Sequence, residues 1–205
     1  MTAILLVVAY LLGSLPFGLW LARREGVDLR ATGSGNIGAT NVLRTTGRLL
    51  AAVVLALDSS KGLLAVWLAQ LLSGETDVMV GCAVAVVIGH IWPIWADFRG
   101  GKGVATAAGA WVLLAPVAVV WSVVVFGSMV ATTRYVSAGS VAAALMVPLV
   151  TVLLDGHPST STGAVVLAAL IVWRHRSNLS RLVHGTEPRI GMSGVKARRR
   201  GPFVG

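Results

Sequence analysis

The stretch VATAAGAWVLLAPVAVVWSVVVFGSMVA, Val104–Ala131, is the one whose reading decides the architecture. It is long for one membrane crossing, short for two, and interrupted by Pro116. A helix needs about 20 apolar residues to cross a bilayer, and an internal proline removes one of its hydrogen bonds. Five further apolar runs flank it: Thr2–Ala22, Leu49–Leu72, Val78–Ala96, Ala138–Leu154 and Gly163–Trp173. Charge settles the count. Arg23, Arg24, Arg30, Arg44 and Arg48 crowd the first loop, whereas the linkers carrying Glu75 and Asp77, and Asp155, hold no Lys or Arg. Positive loops stay cytoplasmic, so the acidic linkers belong outside. A single crossing at Val104–Ala131 would put Arg134 and the basic stretch after Trp173 outside. Two short crossings, turning near Ala115–Ser122, return both to the cytoplasm. The reading is an all-α integral membrane protein, a compact bundle of about seven transmembrane helices with the N-terminus outside and the C-terminus cytoplasmic.

Composition excludes an ordinary soluble domain. Of 205 residues, 56% are hydrophobic and only 12% charged, and the mean hydropathy is +0.81. Residues 1–190 read as a single membrane-embedded domain and residues 191–205 as a basic C-terminal tail holding Lys196–Arg200, either lying on anionic lipid or disordered. Beside a membrane, that tail and the net charge of +9 point to anionic lipid and anionic ligands, with no nucleic acid. The first run has no basic segment before it and Arg23 and Arg24 after it, the pattern of a retained helix and not of a signal peptide. Cys82 is the sole cysteine, so no intramolecular disulfide forms. No carboxylate or histidine cluster has ligand-like spacing, and neither metal nor organic cofactor is expected. The seven tryptophans, Trp111 among them, read as interfacial anchors near span ends.

Two glycine-rich segments carry the chemistry: Gly33-Ser34-Gly35-Asn36-Ile37-Gly38-Ala39-Thr40-Asn41 and Phe98-Arg99-Gly100-Gly101-Lys102-Gly103. Glycine turns present bare backbone N–H groups to an anion, and Arg44 and Lys102 add positive charge. In the seven-helix topology both segments converge on the cytoplasmic face with Arg134–Ser140 and Arg174–Arg181. Gly33, Gly35 and Gly38 satisfy G-x-G-x-x-G literally, but no strand precedes them and a dinucleotide fold is excluded. Gly100-Gly101-Lys102-Gly103 lacks the spacing and the Ser or Thr of a nucleotide P-loop.

Among the histidines, His157 reads as solvated and His90 as packing or an interfacial hydrogen bond. His175 shares a polar stripe with Arg174, Asn178 and Arg181; the plainer reading of that stripe is a basic helix end snorkelling to lipid headgroups. Asp58 and Lys61, one helical turn apart inside an apolar run, read as a structural ion pair facing the bundle interior, with substrate contact as the alternative. A phosphorylated-metabolite transporter would use the same loops as an anion vestibule, but the spans offer few polar groups at depth. A lipid-binding scaffold subunit leaves the glycine-rich segments without a role.

Taken in order, Gly33 to Arg44, then Asp58-Ser59-Ser60-Lys61-Gly62, then Gly89-His90 through Phe98 to Thr106, resemble the three motifs of the bacterial acyl-phosphate-dependent glycerol-3-phosphate acyltransferases. Thr133–Ser137, Arg174–Asn178 and Gly185-Thr186-Glu187 are similar to that family too. The short H-x-x-x-x-D spacing of other glycerolipid acyltransferases is absent. The resemblance implies transfer of an acyl group from acyl-phosphate to the primary hydroxyl of glycerol 3-phosphate. The products would be lysophosphatidic acid and phosphate, at the cytoplasmic face of a bacterial inner membrane, with an upstream acyl-phosphate-producing enzyme as a partner. In it, Ser34, Gly35, Asn36, Gly38, Thr40 and Asn41, with the Gly100, Gly101 and Gly103 amides, would hold the acyl-phosphate. Arg44, Lys102, Ser137, His175 and Asn178 would bind and aim glycerol 3-phosphate. No serine or cysteine sits in a nucleophile–base arrangement, which favours direct transfer in a ternary complex.

Overall fold

The computed structural model describes residues 1–154 and 157–191. Among these there are ten α-helices, a 3-10 turn at Ile94–Ala96 and no strand. The helices are α1 (Thr2–Gly13), α2 (Phe17–Arg24), α3 (Ala39–Thr45), α4 (Arg48–Leu72), α5 (Thr76–Ile91), α6 (Val104–Leu114), α7 (Pro116–Thr133), α8 (Val136–Leu154), α9 (Pro158–Arg174) and α10 (Arg176–Val183). Five described segments are long and apolar enough to cross a bilayer: Thr2–Arg24, Arg48–Leu72, Thr76–Ala96, Pro116–Thr133 and Val136–Leu154; Val104–Leu114 is a shorter apolar helix. The acidic linker at Asp155 and the tail from Met192 lie outside the described residues.

The decisive stretch is two helices. The chain turns at Ala115 (φ −149°, ψ 73°), just before Pro116 opens α7, where its missing N–H would have had no partner in any case. From there α6 packs chiefly on α4 and α7 on α8, so the two halves have different neighbours. The α4–α6 contact is close because glycine lies at the crossing on both helices. A Cβ on Gly62 would overlap the Thr106 carbonyl oxygen, and one on Gly109 the Ser59 carbonyl oxygen. Small residues let helices approach in lipid, where packing replaces the hydrophobic effect as the driving force.

The main core lies where α1, α4, α5, α6 and α9 meet, around Val66, Cys82, Val86, Val87 and Trp111. Trp111 is therefore no interfacial anchor: it is 1% exposed, while Trp20, Trp67, Trp95, Trp121 and Trp173 are exposed. A smaller core of Leu19, Leu29, Ile37, Val42 and Val54 secures the chain between α2 and α4. The buried pair Asp58–Lys61 closes at 2.9 Å. Lys61 Nζ also donates to the Leu15 carbonyl at the α1–α2 break (3.1 Å), an oxygen that the interrupted helix leaves without its own donor.

Candidate active site

The elements enclose a cavity of about 470 Å³ lined from α3, α4, α5, α6, α7, α8, α9 and α10. Ser34, Asn36, Gly38, Thr40, Asn41, Arg44, Lys102, Gly103, Ser137, His175, Asn178 and Glu187 line its polar part. Alanines 107, 108, 143, 144, 164 and 168, with Trp111, Phe126, Val147, Leu167 and Ile171, line the rest.

The first glycine-rich loop is shaped from within. Gly33 and Gly35 have φ of +66° and +72°, a region that glycine enters without steric cost. Buried Asn41 staples the turn: its Nδ2 donates to the Leu29 and Thr32 carbonyls (3.2 and 3.0 Å), and its Oδ1 accepts the Ser34 N–H (2.9 Å). Asn36 Oδ1 accepts the Gly38 N–H (2.8 Å), and the Thr32 carbonyl accepts the Gly35 N–H (3.3 Å). The expected cradle of bare amides is thus corrected at Ser34, Gly35 and Gly38, whose N–H groups already have partners. Asn41 is used to hold the loop, and Gly35 does not line the cavity.

The second loop needs its glycines for a different reason. The Gly100 N–H donates to the Ile91 carbonyl (3.1 Å) and the Gly101 N–H to the His90 carbonyl (3.0 Å). A Cβ on Gly100 would overlap the His90 carbonyl oxygen, and one on Gly101 the His90 imidazole. Arg174 clamps the outer side, donating to the Gly100 and Gly101 carbonyls at 3.1 to 3.3 Å. Gly100 and Gly101 therefore seat the loop on the end of α5 and line no part of the cavity, which corrects their assignment as anion donors. What the loop delivers is Lys102. His90, read as packing or an interfacial hydrogen bond, is buried against the second loop; it lines the cavity, and its Nδ1 lies 3.6 Å from Asp58 Oδ1.

Lys102 Nζ donates to Asn178 Oδ1 (2.6 Å). Asn178 Nδ2 and Ser137 Oγ both donate to Glu187 Oε1 (2.6 and 2.8 Å), and Arg181 Nε donates to Oε2 (2.8 Å). Burial alone would raise the Glu187 carboxyl, but the hydrogen bonds from Asn178, Ser137 and Arg181 hold it below its ordinary range. Lys102 is pushed down to about 8 by burial first, with Arg181, Arg44 and Arg174 adding repulsion against the attraction of Glu187. His175 is pushed down to about 4 by burial and the charge of Lys102. Its Nδ1 is 2.7 Å from the Ile171 carbonyl; a carbonyl only accepts, so Nδ1 carries the proton and Nε2 the free lone pair. Arg44 sits beside the same group, with an amino nitrogen donating to the Pro188 carbonyl (3.3 Å). The site thus offers two cations, amide and hydroxyl groups and a neutral imidazole at the head of an apolar chamber.

The family profile described as "Glycerol-3-phosphate acyltransferase" matches residues 3–185. The chain belongs to the glycerol-3-phosphate acyltransferase family. Curated relatives of that name include one from Gluconobacter oxydans, 49% identical over 207 aligned positions covering 95% of this chain and 96% of the relative. Another, from Desulforamulus reducens, is 44% identical over 191 positions, covering 93% and 96%. The crystal structure of PlsY, an integral membrane glycerol 3-phosphate acyltransferase, in its glycerol 3-phosphate form matches with a TM-score of 0.90 at 39% identity, covering 93% of this chain and 96% of that one. Its lysophosphatidic acid form matches with a TM-score of 0.87 at 38% identity, covering 93% and 95%.

Against the sequence reading, the fold gathers Ser34, Asn36, Gly38, Thr40, Asn41, Arg44, Lys102, Gly103, Ser137, His175 and Asn178 around one cavity and leaves out Gly35, Gly100 and Gly101. Glu187, quoted in the sequence only as part of a family-like segment, is the hub that residue-type reasoning missed. An acidic residue among expected phosphate binders looks adverse, and its partners Ser137 and Asn178 become neighbours only through the fold. The one signal was its position, a lone carboxylate shortly after the Arg174–Arg181 stripe.

Proposed function

We propose that this family member moves the acyl group of an acyl-phosphate to the primary hydroxyl of glycerol 3-phosphate, releasing lysophosphatidic acid and phosphate. The observation that carries the reading is a single cavity whose cationic head, Arg44 and Lys102, continues into an alanine-lined chamber. Two phosphates need the first and a fatty chain needs the second. Lys102, Arg44, Ser137 and Asn178 bind the glycerol 3-phosphate. Ser34, Asn36, Gly38, Thr40 and Gly103 line the side that takes the acyl-phosphate. The hydroxyl oxygen bonds to the acyl carbonyl carbon, the bond from that carbon to the phosphate oxygen breaks, and its electrons leave with the phosphate. His175, held near 4 by burial and the charge of Lys102, is a weaker base than the leaving phosphate, whose oxygen gains negative charge as its bond to the acyl carbon breaks. The leaving phosphate therefore takes the hydroxyl proton, and neutral His175 orients the hydroxyl through its Nε2 lone pair. A mixed anhydride is already activated, so positioning and charge suffice.

The same proposal places seven crossings in the bundle, with Val104–Leu114 and Pro116–Thr133 as a short and a long one, the N-terminus outside, and the site on the cytoplasmic face of a bacterial inner membrane. The excess of Arg in the first loop supports it. Residues 1–190 form the acyltransferase domain and residues 191–205 a basic tail, and an acyl-phosphate-producing enzyme supplies the donor. The test is purified protein in detergent with glycerol 3-phosphate and palmitoyl-phosphate or palmitoyl-CoA. Lysophosphatidic acid and phosphate form from the acyl-phosphate alone, and folded Lys102→Ala loses roughly 10²–10³-fold in kcat/KM, as on removal of a charge-stabilising donor. Product from the thioester alone contradicts the donor, and near-wild-type Lys102→Ala removes Lys102 from the site.

A further inference from the structure

The cavity does not end where the anion chemistry ends. On α6, α7, α8 and α9 its lining continues to Trp111, Ser122, Val147 and Ala164. These are the lining positions farthest along their helices from Lys102, Ser137 and His175. From Ser137 to Val147 and from Ala164 to His175 the helices rise about 15–17 Å at 1.5 Å per residue. The walls between carry Ala107, Ala108, Ala143, Ala144 and Ala168 together with the larger Phe126, Leu167 and Ile171.

Trp111 closes the far end. It heads the largest fully buried side chains, and its indole lies over Gly163, where a Cβ would come within 3.2 Å of Cη2. Its indole N–H is buried without a hydrogen-bond partner. A buried tryptophan normally pairs that N–H, so what this one contributes here is bulk at the floor of the chamber.

We infer that Trp111 gauges acyl-chain length, setting how long a chain fits fully inside, while Ala144 on the α8 wall sets the bore. This rests on the acyl transfer proposed above. A chain entering from the anion site runs between these walls, and the indole is the bulkiest group at the far end. A chain reaching past the indole must bend out of the chamber and loses burial for each extra methylene.

The experiment measures kcat/KM in detergent for decanoyl- through stearoyl-phosphate with saturating glycerol 3-phosphate. Trp111→Leu shifts the optimum to longer donors by about two carbons and raises the stearoyl-to-lauroyl ratio about tenfold, the scale of methylene discrimination in an apolar pocket. Ala144→Val, which fills the bore without deepening it, shifts preference to shorter donors and decides the matter if Trp111→Leu does not purify folded. An unchanged chain-length profile in a folded variant, with wild type active, overturns the gauge and leaves the reaction standing. No turnover of any acyl-phosphate by wild type overturns the reaction and the gauge together.

Discussion

The two glycine-rich loops look alike in sequence and do different work. In the loop before α3, glycines at positive φ let the chain coil tightly, and Asn36 and Asn41 close the coil through side-chain hydrogen bonds. In the loop before α6, Gly100 and Gly101 lack a Cβ so that the chain can lie on the end of α5 against His90. The amides of Ser34, Gly35 and Gly38 in the first and of Gly100 and Gly101 in the second hold the loops themselves. Both loops act as mounts, the first for the rim around Ser34 to Thr40 and the second for Lys102.

The comparison breaks at its strongest point with Gly101→Ala. The added methyl falls on the His90 imidazole, so the loop and Lys102 must shift, and a displacement near 1 Å costs on the order of 10²-fold in kcat/KM. KM for glycerol 3-phosphate rises while the helical content stays. Wild-type kinetics in Gly101→Ala would mean that the loop does not mount Lys102.

A smaller effect is expected from Asn41→Ala, which leaves the buried Leu29 carbonyl, and the more accessible Thr32 carbonyl and Ser34 N–H, without their partner. Buried groups left without partners cost roughly 1–3 kcal/mol. Thermal unfolding in detergent should fall accordingly, with a loss of activity well short of that for Gly101→Ala. If Asn41→Ala instead keeps its stability and loses all activity, Asn41 binds substrate directly and the staple reading is wrong.

Much of the fold was legible because apolar run length and Pro116 act locally: the turn at Ala115 lies where the long stretch was expected to turn. The gathering of Arg44, Lys102, His175 and Asn178 was also legible, since charge placed their loops on one face. What the sequence could not carry was where each N–H goes. Partners such as His90 for Gly101, or Glu187 for Ser137, are set by close approaches between distant segments. Trp111 misled for the same reason: a tryptophan near the end of an apolar helix has no local mark that separates a floor from an anchor.

The account rests on Lys102 being the cation that meets glycerol 3-phosphate, and its depressed pKa of about 8 makes that claim measurable. The pH dependence of kcat/KM for glycerol 3-phosphate reports groups in the free enzyme and free substrate. A lysine with a lowered pKa is charged below that value and neutral above it, so kcat/KM should hold to about pH 8 and fall beyond. In Lys102→Arg, whose guanidinium stays charged, the alkaline fall should move upward even if the plateau is lower. A wild-type profile flat through that range, or a fall that Lys102→Arg leaves unmoved, would contradict it.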